Sequence, residues 1–555
     1  MIKLLLVRNV VQPLIVVMTA LSCGELLLVQ TSLAAESAQG GDVPAQEKVP
    51  GTEQAQPRDV TFTIKAFVIE GTDLFSRDEL QQQVRPFVGR GKTSTDVEKA
   101  RDALERFFHE HGYPTLVVNI PEQKVESRKI RLEVIENPVG TVKISGNRWF
   151  SEEKIRREIP ALASGLVINL DEVRNEINHI NQNPDFKVVP DMVPGKIPET
   201  VDINLKVSDS PPLHGSLELN NRATHNTTDL RLTAGLSYDN LWQREHSISA
   251  QYQVAPENPD DAQMATGSYS LAAPWDRDER LTLYGVWSNN NTTIGGGFGN
   301  ISKGTIVGLR LMVPLTPYGD FNHSLMAGFD YKDFGQTVSA SGSQINTPVT
   351  YMPATVTYLA FLRDSQGLTS FNAGVNFAFR GMVASEQDFA NKRYESRSDY
   401  IYVTAGIERT QQLPKDFSLR VKADGQMASG PLISNEEYLA GGIDSVRGYW
   451  ESEASGDDAA HAVVELSAPD LLKKDGRPGT ASLNPYVFFD TAALWVRDAQ
   501  AGQQSFFDLQ GTGFGLRGTL FKGFDYETDV AVALRSTSAV AAGDVYCHFR
   551  VRYQF

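Results

Sequence analysis

Cysteine is nearly absent from this 555-residue chain, which holds only Cys23 and Cys547. Cys23 lies in a segment that reads as removable, so the mature chain has no intrachain disulfide available. Long hydrophobic runs are missing too: beyond residue 35, no stretch reaches the roughly 18 apolar residues of a membrane-spanning helix. Positive charge is in deficit, with 52 Lys and Arg against 68 Asp and Glu, which argues against general nucleic-acid binding. Signatures of catalysis are also lacking. No GxSxG occurs, and His109-Glu110-His111 lacks zinc-ligand spacing because neighbours at i and i+2 do not share a helix face. Gly91-Lys92-Thr93 resembles the end of a phosphate loop, but Pro86 stands where its first Gly should be. That segment reads instead as a loop leading to a helix cap at Thr95. Gly513-Phe-Gly515-Leu-Arg-Gly518 matches GxGxxG by letter, yet it sits among alternating strand residues with no helix after it. Its glycines read as relief for close packing in a sheet. The expectation is a protein without enzymatic activity, with no catalytic residue, no metal site and no cofactor.

What is present falls into zones. Lys3 and Arg8 precede an apolar run from Val10 to Leu21, and Ser32-Leu33-Ala34-Ala35 follows. A basic start, an apolar middle and a small-residue end predict a cleaved signal peptide over residues 1–35, with an N-terminal anchor as the alternative. The formal charge is −16; Lys3 and Arg8 against Glu25 make the signal +1, which leaves −17 on the mature chain. Residues 36–60, rich in Gly, Pro, Gln and Glu, read as a linker.

Residues 61–209 contain an internal repeat. Phe67-Val-Ile69-Glu-Gly71, followed by Leu74-Phe75-Ser76, recurs as Val142-Lys-Ile144-Ser-Gly146, followed by Trp149-Phe150-Ser151, at an offset of 75 residues. Such a period means two copies of one small domain, 61–137 and 138–209. In the first copy, a strand over Phe62–Ile69 leads to a helix opened by Ser76 with Glu79 as a capping box. A second helix is expected from Thr95 with Glu98 in the same relation. Its apolar face is expected to run through Val97, Ala100, Leu104, Phe107, Phe108 and His111. Strands near Thr115–Ile120 and Lys129–Ile135 close the copy. The second copy repeats the order, with a helix after Ser151, another carrying Leu170, Val173, Ile177 and Ile180, and a strand near Val201–Val207.

From Leu213 onward, helical periodicity gives way to alternation. Val545, Cys547, Phe549, Val551, Tyr553 and Phe555 alternate with Tyr546, His548, Arg550, Arg552 and Gln554. Eleven residues at about 3.4 Å each, tilted roughly 45°, span about 26 Å, the height of a transmembrane barrel's apolar band. One face can then meet lipid while Arg550 and Arg552 face a wet lumen; a half-buried sandwich strand is the alternative. The 343 residues from Leu213 fit sixteen strands at about 21 residues per strand and connection, and fourteen or eighteen nearly as well. The fold class expected is thus two α+β domains followed by an antiparallel transmembrane β-barrel over residues 210–555.

Two segments carry a more specific signal: Leu439-Ala440-Gly441-Gly442-Ile443-Asp444-Ser445-Val446-Arg447-Gly448-Tyr449, and Tyr486-Val487-Phe488-Phe489-Asp490. Together with Ile120-Pro121-Glu122-Gln123, Asn181-Gln-Asn183-Pro184, Asp239-Asn240-Leu241 and the terminal Phe555, they closely resemble the two-partner secretion transporters of Gram-negative bacteria. These transporters are of the haemolysin secretion/activation type, within the POTRA–barrel superfamily that also holds the barrel-assembly insertases. The resemblance spans about Phe62 to Phe555. It implies that the repeats are POTRA domains of order β-α-α-β-β, placed in the periplasm below an outer-membrane barrel. It also implies that Val446, Arg447, Gly448 and Tyr449 sit on a long loop folded back into the lumen, where Arg447 pairs with Asp490 of an inner-wall FxD motif that includes Phe488. The alternation agrees, because Phe488 and Asp490 share one strand face, and a carboxylate facing lipid would be costly. Tyr553 and Phe555 read as the C-terminal signature by which barrel-assembly machinery inserts the chain. The function implied is export of one large secreted partner, an adhesin, haemolysin or similar exoprotein, by a monomeric transporter in contact with outer-membrane lipid. The rivals are an insertase for other barrels and a passive porin-like channel. The family's N-terminal plug helix is not expected here, since Pro44, Pro50 and Pro57 each cost a helix interior about 3 kcal/mol.

Overall fold

The computed structural model describes residues 60–555, apart from 125–126, 226, 277, 290–291, 295–298, 302, 336, 341–342, 382, 384 and 474–480. The expected signal peptide, nearly all of the linker and the question of a plug helix lie outside the described residues. The chain divides into two compact units between Ser210 and Pro211.

The first unit holds two small sheets of three strands built alike. In one, Ala66–Glu70 runs parallel to the central strand Lys129–Ile135, whose other side pairs with Val117–Asn119. In the other, Val139–Ser145 runs parallel to the central Val201–Asp209, which pairs with Phe186–Pro194. Two helices cover one face of each sheet, Arg77–Val84 and Ser94–Glu110 in the first, Glu152–Glu158 and Leu170–Ile180 in the second. The buried stripe Val97, Ala100, Leu104 and Phe108 packs on Phe67, Ile130, Leu132 and Val134. Val173, Ile177 and Ile180 do the same against Ile144, Ile203 and Leu205. Glu79 caps its helix as its spacing predicts: its carboxylate accepts from the Ser76 N–H at 2.9 Å and the Ser76 hydroxyl at 2.6 Å.

Three local expectations need correction. The second helix begins at Ser94 rather than Thr95, and its box is formed by Thr93 and Asp96 rather than Thr95 and Glu98, with the Thr93 N–H donating to Asp96 at 2.9 Å. Two boxes lay two residues apart in the sequence, and the upstream one wins because Gly89–Lys92 is not a loop. It is a strand paired with Phe62–Ile64, and it brings the chain to the helix already turned at Thr93. The expected single strand Phe62–Ile69 is correspondingly broken at Lys65, where it changes partner from Gly89–Lys92 to Lys129–Ile135.

The second unit is a closed antiparallel barrel of sixteen strands. One of the sixteen is written as two segments, Val349–Tyr351 and Ala354–Asp364, because Pro353 interrupts it; both pair with Phe321–Phe334. The last strand, Val545–Gln554, ends one residue short of the expected Phe555. The expected alternation shows on the wall. Along Asn484–Trp495, Tyr486, Phe488 and Asp490 are buried while Val487 and Phe489 are exposed. Leu236, Ile248, Phe329, Phe361 and Phe514 are exposed in the same outward sense. So broad an apolar exterior is unlike a soluble protein's surface and suits lipid. No described helix is long and apolar enough to cross a membrane.

Candidate functional site

The connection after the strand Ser418–Ala428 is long, and it turns inward before the chain resumes the wall at Asp458–Ser467. A short antiparallel pair, Tyr438–Ala440 with Ala454–Gly456, forms its stem. Its tip carries Val446, Arg447, Gly448 and Tyr449, each with little or no solvent exposure. A charged tip can be buried there only because the wall offers charge in return.

Arg447 meets the wall at the strand Asn484–Trp495. Its Nε donates to Asp490 Oδ2 at 2.7 Å and its Nη2 to Oδ1 at 2.8 Å, and its own backbone N–H donates to Oδ2 at 3.1 Å. Two parallel guanidinium–carboxylate bonds fix orientation as well as position. The guanidinium also lies over the Phe488 ring, 3.4 Å from its centroid, so both letters of the FxD motif touch the same arginine.

The pair is part of a larger cage. Arg447 Nη1 donates to Glu465 at 3.2 Å and stands 3.8 Å from Asp529. Glu465 is held in turn by Arg517, whose guanidinium rests on the Tyr486 ring at 3.9 Å. Glu465, Asp490 and Asp529 are all buried, so three carboxylates face two guanidinium groups. Removing one partner from such a buried cluster strongly destabilises it, because it leaves uncompensated charge behind. Sequence reasoning reached Arg447 and Asp490 but missed Glu465, Arg517 and Asp529. Parity was the available signal: Glu465 sits between Val464 and Leu466, and Asp529 precedes Val530, each on the inward face.

The other tip residues fit just as closely. Val446 and Tyr449 are buried with Leu494, Leu509 and Ala533. The Tyr449 hydroxyl donates to carbonyls of the wall, 3.0 Å from Gln510 O and 2.8 Å from Arg535 O, and it accepts from Arg535 N–H at 3.2 Å. Gly448 adopts φ +97°, a left-handed conformation that favours glycine, and its N–H donates to His548 Nε2 at 3.2 Å. Gly511 in the wall has no side chain where one would strike the Arg447 carbonyl.

Higher in the lumen, Glu436 accepts from Tyr351 at 2.6 Å, Lys332 at 2.6 Å and Tyr402 at 2.9 Å. Arg393, just past the short helix Glu386–Lys392, joins Glu437 to Asp457. At the chain's end, Phe555 and Gly215 exchange two backbone hydrogen bonds of 3.0 Å, and the exposed Tyr553 ring lies 6.1 Å from that of Phe555. The tip and the FxD strand are therefore brought together, while Tyr553 and Phe555 belong to the rim.

Comparison with known proteins agrees with this arrangement. Residues 62–137 match the POTRA domain, ShlB-type. The chain is 21% identical over 391 residues to the heme/hemopexin transporter protein HuxB of Haemophilus influenzae, covering 69% of this chain and 67% of that one. It is 21% identical over 418 residues to the outer membrane transporter CdiB of Dickeya dadantii, covering 73% and 72% respectively. In fold it is similar to CdiB from Escherichia coli, with TM-score 0.63 at 18% identity over 91% of this chain and 93% of that one. BamA from Haemophilus ducreyi lacking POTRA domains 1–3 gives TM-score 0.54 at 14% identity over 89% of this chain and all of that one. Residues 199–518, more than half of the sequence, match the haemolysin secretion/activation protein family ShlB/FhaC/HecB, and the chain belongs to that family.

Proposed function

We propose that this protein exports one large secreted partner across the outer membrane, binding it in the periplasm through the POTRA domains and passing it through the barrel. The observation that carries the reading is the loop tip bolted into the lumen through Arg447. A passive pore needs no such obstruction, whereas a protein conduit needs a closed resting state. An unfolded client docks on the paired periplasmic domains, threads past the displaced loop, and folds outside. No nucleotide is required, and no residue is assigned a catalytic role. In the resting state Arg447, through Asp490 and Phe488, holds the tip against the wall.

The relatives are named as transporters of heme/hemopexin and as outer membrane transporters, which supports an exoprotein client over a general role in barrel assembly. The likeness to BamA is one of fold alone. The chain works as a monomer, contacts outer-membrane lipid with the barrel's apolar exterior, and is itself inserted by barrel-assembly machinery that reads Tyr553 and Phe555.

Deleting residues 61–209 tests the docking step. The barrel should still reach the outer membrane, and the client should be absent from the medium. Normal secretion by the shortened chain would contradict docking through these domains.

A further inference from the structure

The barrel closes where its last strand meets its first, Leu213–Asn220, and this joint is short. It has five registered pairs, from Arg550 opposite Asn220 to Gln554 opposite Ser216. The first strand's other joint has eight, and the last strand's other joint has nine. Phe555 and Gly215 extend the joint downward by one pair. Above Asn220, however, the first strand has ended, and among the described residues Val545 to Phe549 pair with no strand on that side, Phe549 O only accepting from Asn221 N–H at 3.4 Å. An open strand edge is a weakness that folds must cover.

Two devices stand in the gap. The first is the side chain of Asn221, which imitates a rung: its Nδ2 donates to Cys547 O at 2.7 Å and its Oδ1 accepts from Phe549 N–H at 2.8 Å. The second is the folded-in loop, which grips both sides of the joint from within. On the first-strand side, Arg222 bonds Asp444 at 2.7 Å and Glu451 at 3.2 Å, and Glu451 N–H donates to Ala223 O at 3.0 Å. On the last-strand side, Gly448 N–H donates to His548, and the Trp450 ring meets that of Tyr546 at 4.9 Å. Glu451 is buried, and Arg222 is largely so, which makes these contacts firm rather than superficial.

We propose that the folded-in loop braces the closing seam of the barrel, with Arg222 and His548 as the residues that position it there. Loop and seam are then one mechanical unit, and withdrawing the loop leaves the upper half of the last strand held on its seam side by Asn221, with its other side still paired to Phe524–Ala533. This coupling does not depend on which client is carried.

The test uses the full chain, in outer membranes and in detergent, with Cys547→Ser as background. Ser216→Cys and Gln554→Cys, which face each other across the seam, provide a staple that can be oxidised or reduced. The readout is the temperature at which the folded chain converts to the slower-migrating unfolded form on detergent gels. Arg222→Ala combined with His548→Ala should lower that midpoint when the staple is reduced and return it towards the parent value when the staple is oxidised. Arg409→Ala, which breaks a pair with Asp364 elsewhere in the wall, should be lowered as well but not restored. If the first pair is not recovered folded, Asp444→Asn, which removes one of the two Arg222 carboxylates, carries the same comparison. No downward shift, or equal restoration of the Arg409 variant by the staple, overturns the proposal.

Discussion

At the scale of single residues, Arg447 is bound by a cage rather than by one partner, and this changes what mutation should do. A simple ion pair could be inverted by exchanging its charges. Here, an aspartate at 447 would face Glu465 and Asp529 as like charges, while an arginine at 490 would lack the loop backbone to hold it. Arg447→Ala leaves three buried carboxylates short of a cation, at a cost of about 3–5 kcal/mol. Secretion should be lost in Arg447→Ala and in Asp490→Ala, and the exchange Arg447→Asp with Asp490→Arg should not restore it. Assay of the client in the medium checks this, and full export by both single variants would contradict the role of the pair. Arg447→Lys keeps the charge but loses the parallel bonds, so export should be intermediate. From the sequence, Arg447 and Asp490 were legible because a motif names them and parity turns Asp490 inward. Glu465 and Arg517 belong to no motif, and they join the cage, Glu465 on Arg447 and Arg517 on Glu465, only when strands distant in sequence close around the tip.

Among elements, capping chemistry and alternation were readable wherever they are local. Glu79, Ser151 and the strand Lys129–Ile135 fall where their spacing puts them. Reading failed where a neighbour chosen by tertiary pairing decides, as at Gly89–Lys92. Side-chain amides show the same limit. Gln123 bonds Arg131 N–H at 2.7 Å and Arg131 O at 3.0 Å, and Asn181 bonds Val188 N–H at 2.8 Å and Val188 O at 3.0 Å. Both belong to segments that carry the family resemblance, yet their work, extending a sheet by an imitation rung, shows only in three dimensions. The caps also set a pH dependence. Hydrogen bonds from Ser76 hold the Glu79 carboxyl below its ordinary value, and the Thr93 N–H does so for Asp96. A group depressed in the folded state contributes stability that is complete above its unfolded pKa, about 4, and fades as pH falls through the folded value. Below that pH, amide exchange in the first turns of Arg77–Val84 and Ser94–Glu110, corrected for intrinsic rates, should rise. Glu79→Gln should remove the pH dependence of the first helix alone; an unchanged profile in that variant would contradict the assignment.

For the whole molecule, the barrel was legible as a class because alternation marks strands such as Val545–Gln554 and Asp458–Ser467, while the total length allowed fourteen or eighteen strands nearly as well as sixteen. The closed order of those strands, and the loop that fills their lumen, came from long-range pairing that no local pattern encodes. On the function proposed above, this lumen is a guarded path for one exported protein. The most direct measurement compares culture media and outer-membrane proteins of a parent strain and a strain lacking this gene. One large protein should disappear from the medium of the deletion strain while the outer-membrane proteins keep their abundance. Unchanged media, or a general loss of outer-membrane barrels, would contradict it.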